Sequence, residues 1–169
     1  MLKADEQDLA RYSVVALSEG DVPFGKLRVP IDTDKKSLVK SLADKLVGQP
    51  REWTAGNNRW DRYALNIEIL WYPPQVLFLT FMNDKLILVS FNDPRQKEAN
   101  WDYQIELQNY ARIKQNLIQH LGKEDKSDES NPQKMSVTWE YDKLTIYLAC
   151  DAKTGGCGLG IQSKSFKAA

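Results

Sequence analysis

Tyr63-Ala-Leu-Asn-Ile-Glu-Ile-Leu-Trp-Tyr72 and Met135-Ser-Val-Thr-Trp-Glu-Tyr-Asp-Lys-Leu-Thr-Ile-Tyr-Leu148 are the stretches that decide the fold. In the second, Met135, Val137, Trp139 and Tyr141 fall on one side while Ser136, Thr138 and Glu140 fall on the other. That period of two is a half-buried strand. Each stretch follows apolar residues at helical spacing. Leu38, Leu42 and Leu46 run into Gly48-Gln49-Pro50, and Tyr110, Ile113, Leu117 and Leu121 run into Gly122. Glycine adopts the left-handed helix cap and proline cannot continue the ladder, so both places read as helix stops. Each unit therefore reads as helix, glycine stop, variable polar loop and antiparallel strands. This pattern predicts an α+β fold, with helices packed on one face of an antiparallel sheet. It also predicts one domain over 1–169 with an internal repeat, 33–91 and 95–162.

The remaining elements follow from the same signals. A first helix is predicted over 4–18, with Leu9, Tyr12, Val15 and Ala16 on one face, acids in its first turn and Gly20 as its stop. A short strand is predicted over 24–29. Strands follow at 62–72, 75–82 and 85–91, the last two joined through Asn83-Asp84, side chains that tolerate positive φ. The strand 76–82 shows little alternation, which predicts a central strand covered on both faces. Asn92-Asp93-Pro94 opens the strongest helical pattern, running to Leu121 with Trp101 and Ile105 in its apolar stripe. A hairpin over 135–150 and a last strand over 158–162 complete the chain. The variable loops are placed at 51–61 and 123–133.

Composition excludes several classes. The 169 residues are 42% hydrophobic and 27% charged, which is ordinary for a folded domain rather than a disordered chain. Twenty-three basic residues balance 23 acidic ones, and neither half of the chain forms a charged arm. Bulk attraction to nucleic acid is not favoured. The apolar run 76–82 is far short of the roughly 20 residues that a membrane-crossing helix needs, and the charged N-terminus lacks the apolar stretch of a secretion signal. A cytoplasmic location without membrane association is expected. Cys150 and Cys157 flank a predicted turn. They are two reduced thiols in the cytosol, or a hairpin bridge in an oxidising compartment.

Catalytic and cofactor signatures are thin. His120 is the only histidine and sits near a helix C-terminus, where the helix dipole favours a cation. No nucleophile stands in a recognisable context beside it. One histidine and two cysteines do not supply a metal-ligand set. Asp125, Asp128 and Glu129 are acidic, but they lack the spacing and terminal glutamate of a calcium loop. The glycine-rich 154–160 lies between predicted strands, whereas phosphate cradling needs such a loop to open a helix. No catalytic residue, cofactor or metal is assigned.

The remaining surplus is aromatic. Trp71, Trp101, Trp139 and Tyr141 fit core positions by period. Trp53 and Trp60 fall in the first loop beside Arg51, Arg59 and Arg62, and tryptophan and arginine often carry interface energy. The alternative is that both indoles cover the sheet. Trp53, Arg59, Trp60 and Arg62, with Asp125, Asp128 and Glu129 of the second loop, are the candidate partner-binding residues.

The repeated plan, leucine-bearing helix, Gly48-Gln49-Pro50 or Gly122, then strands carrying Trp and Tyr, resembles small duplicated domains of bacterial inhibitor and envelope-assembly proteins. More loosely, it resembles the immunity proteins encoded beside secreted bacterial toxins. The resemblance covers about 33–162 and implies a non-enzymatic module that binds and neutralises a cognate toxin. A structural or assembly protein without a toxin partner, and an enzyme using carboxylates scattered in sequence, are the alternatives.

Overall fold

Asp5 and Glu6 favour the positive end of the first helix, α1 (Ala4–Ser18). The computed structural model describes residues 4–25, 27–69, 72–92, 102–153 and 156–166. The inward face of α1 carries Ala10, Ser13, Ala16 and Leu17. Val15, predicted to face inward, is 49% exposed. The single short strand predicted over 24–29 is instead a hairpin of two, β1 (Asp21–Phe24) and β2 (Leu27–Pro30), which turns at Gly25.

Helix α2 (Lys35–Ser41) is capped by the Asp34 carboxylate, which accepts a 3.3 Å hydrogen bond from the Ser37 amide. It ends sooner than predicted. A single 3₁₀ turn over Ala43–Lys45 leads directly into β3 (Leu46–Ala55), so Leu46, Gly48 and Pro50 belong to a strand. Gly48 has φ of 68°, and the pairing register shifts between Val47 and Arg51. Glycine and proline here build a bulge in an edge strand, an environment that accepts both residues as readily as a helix end does.

The chain continues through β4 (Asn58–Ile69), β5 (Tyr72–Met82) and β6 (Lys85–Asn92). Both predicted variable loops are largely strand. Residues 51–61 form the β3–β4 hairpin, and 123–133 contain β7 (Lys126–Asn131). The Asn83-Asp84 turn has φ of 50° and 67°, the positive pair that a two-residue hairpin requires. Helix α3 (Tyr103–Leu121) starts at Asp102, whose carboxylate accepts the Ile105 amide at 3.1 Å. The predicted helix opening at 93–101, with Trp101, lies outside the described residues, as do Trp71, Thr154 and Gly155. After β7 come β8 (Lys134–Glu140), β9 (Leu144–Asp151) and β10 (Gly156–Ser163).

The last eight strands form one antiparallel sheet in the order β3-β4-β5-β6-β10-β9-β8-β7. Each half is a four-strand meander, and the final strands of the two meanders, β6 and β10, pair at the centre. Helix α3 packs on β9 and β10, while α1 packs on α3 and β1. Leu17, Phe24, Leu38, Leu79, Leu117, Trp139 and Ile146 belong to one buried cluster beneath these elements. The opposite face is far less covered. Along β9, buried Leu144, Ile146, Leu148 and Cys150 alternate with half-buried Thr145, Tyr147, Ala149 and Asp151. Strand β5 is interior to the sheet, yet Val76 is 49% exposed on that second face, so the strand is not covered on both sides along its length. Among the described residues no helix is long and apolar enough to cross a membrane.

Candidate functional site

The β3–β4 hairpin presents different chemistry on its two faces. Trp53 and Trp60 are directly paired across the strands, as are Arg51 and Arg62. Alternation puts these four side chains on the face away from the helices. The indoles stack with centroids 5.8 Å apart and planes 8° from parallel. The Arg51 and Arg62 guanidiniums lie 5.5 Å and 5.7 Å from the Trp53 ring centroid, within cation–π range. Arg62 also lies 5.5 Å from the Phe78 ring, and Phe166 meets Trp60 edge-on at 5.7 Å. Among the described residues, no carboxylate pairs with Arg51 or Arg62. Among the described residues, the buried atoms Trp60 Nε1, Arg62 Nε and Thr80 Oγ1 have no hydrogen-bond partner.

No family model matches the chain, and no curated protein and no solved structure is significantly similar to it. Function is therefore read from side-chain geometry.

On the helix side of the same hairpin lies a charged cluster. Lys35 Nζ is 2.9 Å from Asp61 Oδ2 and 3.1 Å from Asp84 Oδ1. Arg59 pairs with the other oxygen of Asp84. The hydrogen bond to Asp61 raises the Lys35 pKa above its ordinary value; burial opposes the rise and Asp84 adds to it. Hydrogen bonds from Arg59 and then Lys35 hold the Asp84 carboxyl below its usual range. Asp61 is only 1% exposed.

The predicted contact residues are thus divided among three places. Trp53, Trp60 and Arg62 come together on the uncovered face. Arg59 does not join them, because it alternates to the helix side and pairs with Asp84. Asp125, Asp128 and Glu129 lie at or beside β7, the opposite edge of the sheet. Seven strand spacings of about 4.8 Å separate the edges by roughly 34 Å. Asp125 accepts the Glu140 amide at 2.6 Å, and Glu129 lies 2.6 Å from Lys114 Nζ on α3. Both serve the local structure.

His120 is buried in the last turn of α3, with Nδ1 2.8 Å from the Asn116 carbonyl, which can only accept. Cys150 and Cys157 are buried, not joined by a disulfide, and directly opposite each other on β9 and β10. Among the described residues, no three His, Cys, Asp or Glu side chains converge as metal ligands. Lys35, Asp61 and Asp84 were not singled out from sequence. One signal was available: Asp61 occupies the inward parity of β4, in step with Tyr63 and Leu65, where a charge requires a partner.

Proposed function

We propose that this chain is a non-enzymatic protein-binding module that holds its partner on the β3–β5 end of its uncovered sheet face. Its most concrete form is a bacterial immunity protein that acts in the cytoplasm and neutralises a cognate toxin. The observation that carries this reading is the Trp53–Trp60 stack flanked by Arg51 and Arg62. Stacked indoles offer rigid apolar area at low conformational-entropy cost. Guanidiniums that lack a carboxylate can take one from a partner, in a fork geometry that favours bidentate pairing. The partner is thus a protein surface with carboxylates set around an apolar patch. A standard interface covers about 800 Å² per side, a disc roughly 32 Å across. Centred on Trp53, it does not reach Asp128, so the acidic edge is not part of this footprint.

The test is co-expression with the cognate toxin, sought among the products of the adjacent genes. The wild-type chain should rescue growth and bind at about nanomolar Kd or tighter, as an antidote must. Arg51→Glu/Arg62→Glu should lose both properties while remaining folded, its melting temperature lowered by no more than the roughly 2–8 °C that the lost cation–π contacts imply. Aromatic and basic groups on a sheet also suit single-stranded nucleic acid. Tight binding of oligo-dT with a steep salt dependence would replace the protein-binding reading. Turnover of a small substrate, abolished by a point mutation, would replace it with an enzyme.

A further inference from the structure

The free edge of β3 is self-complementary, and we propose that it pairs with the same edge of a second copy of this chain. Strand β3 ends the sheet, and among the described residues no segment other than β4 pairs with Arg51–Ala55. The direction of its backbone groups follows from Arg59, which stands opposite Thr54. The Arg59 amide donates to Asn83 Oδ1 at 2.9 Å, and the Arg59 carbonyl accepts the Asn83 amide at 2.8 Å, so both point away from β3. Thr54–Arg59 is therefore a non-hydrogen-bonded pair. Alternation along an antiparallel ladder then turns the N–H and C=O of Thr54, and those of Glu52, outward. Both residues are exposed, so these groups form an open template for another strand.

The residues along this edge select one twofold register. Pivoting on Glu52 sets the two Glu52 side chains opposite each other and Thr54 against the second copy's Pro50, which lacks an N–H. Pivoting on Thr54 sets Glu52 against Gly56, which has φ of 61° and belongs to the turn. Pivoting on Trp53 pairs Glu52 with Thr54 on both sides of the axis, which makes four backbone hydrogen bonds and opposes no like charges. It also sets Trp53 against its own copy at a non-hydrogen-bonded site, with about 4.5 Å between Cα atoms, where side chains approach most closely. Arg51 then faces Ala55, and the two Arg51 residues stay about 14 Å apart along the strands. The Trp53–Trp60 stack becomes a row of four indoles on the uncovered face. Five residues span about 17 Å, and a contact of that length covers less than the about 1,200 Å² of a stable interface, so the dimer is weak and reversible. The pairing uses the edge of the sheet, and it stands whether or not the uncovered face holds a toxin.

The experiment is sedimentation equilibrium of the full chain over a concentration series reaching about 1 mM, the range in which so small a contact associates. The mass should rise from 19.4 kDa toward twice that value and level there. Thr54→Pro removes an outward N–H that β4 does not use, so it should weaken association at least about tenfold and leave a folded monomer. Thr54→Ala keeps that N–H and should associate within about threefold of wild type. The register is read by mixing Glu52→Cys with Thr54→Cys protein under mild oxidation. The mixture should form a cross-linked heterodimer and neither variant alone should cross-link, since Cys150 and Cys157 are buried. A monomer throughout the series overturns the proposal, as does association unchanged in Thr54→Pro or a mixture that does not cross-link. Growth beyond the dimer, which head-to-tail pairing of β3 with β7 would give, overturns it too.

Discussion

Trp53→Ala is the most informative substitution, because Trp53 is the shared member of the stack and of two of the three cation–π contacts. An aromatic pair contributes about 0.5–1.5 kcal/mol beyond area burial. Each exposed cation–π contact contributes about 0.5–1 kcal/mol. The contacts seen here, one stack and guanidiniums at 5.5 Å and 5.7 Å, therefore sum to about 1.5–3.5 kcal/mol. Because Trp53 is only half-buried on an edge strand, the lower part of this range applies, about 2 kcal/mol. For a chain of this size that corresponds to a fall of about 4–8 °C in melting temperature. The assay is urea unfolding followed by intrinsic fluorescence. Arg51→Met in a double-mutant cycle with Trp53→Leu should give a coupling of about 0.5–1 kcal/mol. On the binding side, the same truncation should cost about 2 kcal/mol or more if the indole is an anchor. A stability change within about 0.5 kcal/mol and no coupling to Arg51 would show that the stack is not held in solution. If partner affinity is also unchanged, the uncovered face is not the contact surface.

Four further outcomes are expected. Lys35→Met leaves buried Asp61 without its cation and should cost about 3–5 kcal/mol in urea unfolding. The Lys35 contribution is complete below that lysine's unfolded pKa and is lost as pH rises through the raised folded value. The Asp84 contribution is complete above its unfolded pKa and is lost as pH falls through the lowered folded value, so melting temperature against pH should show a plateau between these limits. Burial pushes the Cys150 thiol up, so Cys150 and Cys157 should resist a thiol reagent in the native state and both titrate in denaturant; a bridge surviving in reducing extract would contradict this. A Cβ at Gly160 would stand 2.3–2.6 Å from the Tyr147 ring, so Gly160→Ala should cost about 1–3 kcal/mol, with Tyr147→Ala relieving part of that loss in a double-mutant cycle.

The sheet was legible wherever one face is buried, because burial writes a period of two into the chain. Met135 to Tyr141 could be read for that reason, and the Asn83-Asp84 turn because its side chains tolerate positive φ. Strands β3 and β7 could not. Both are edge strands with mostly exposed side chains, and their composition follows solvent rather than a core. Gly48 and Pro50 misled for a related reason: a positive-φ glycine followed by proline marks either a helix end or an edge bulge, and only pairing with β4 distinguishes them. The aromatic–arginine cluster was half visible. Trp53, Trp60 and Arg62 could be grouped by proximity, but a loop has no alternation, so nothing separated Arg59 from them. As a strand, the same segment sends Arg59 and Asp61 to one face and Trp60 and Arg62 to the other.

The two meanders share a strand plan but not the state of their outward charges, and this difference favours the β3–β4 half for the proposed contact. On the β8–β9 half, Glu140 is met by Lys164 at 3.1 Å, Lys126 at 3.4 Å and the Thr145 hydroxyl at 3.0 Å. A partner approaching there would have to replace interactions already made, and exchange of exposed ion pairs gains little. On the β3–β4 half, Arg51 and Arg62 rest against aromatic faces and have no carboxylate among the described residues. A partner carboxylate placed there adds an ion pair without breaking one, and the indole plane beneath it excludes water from one side. Edge chemistry runs the same way. Strand β7 is a run of charged and polar side chains that blunts strand-to-strand association. Strand β3 relies on the bulge at Gly48 and Pro50, which leaves its Arg51–Ala55 end in regular pairing and available beside the aromatic stack. Complementary substitutions follow from this asymmetry: charge reversal at Arg51 and Arg62 should impair association, whereas charge reversal at Lys126 and Asp128 should leave it unchanged.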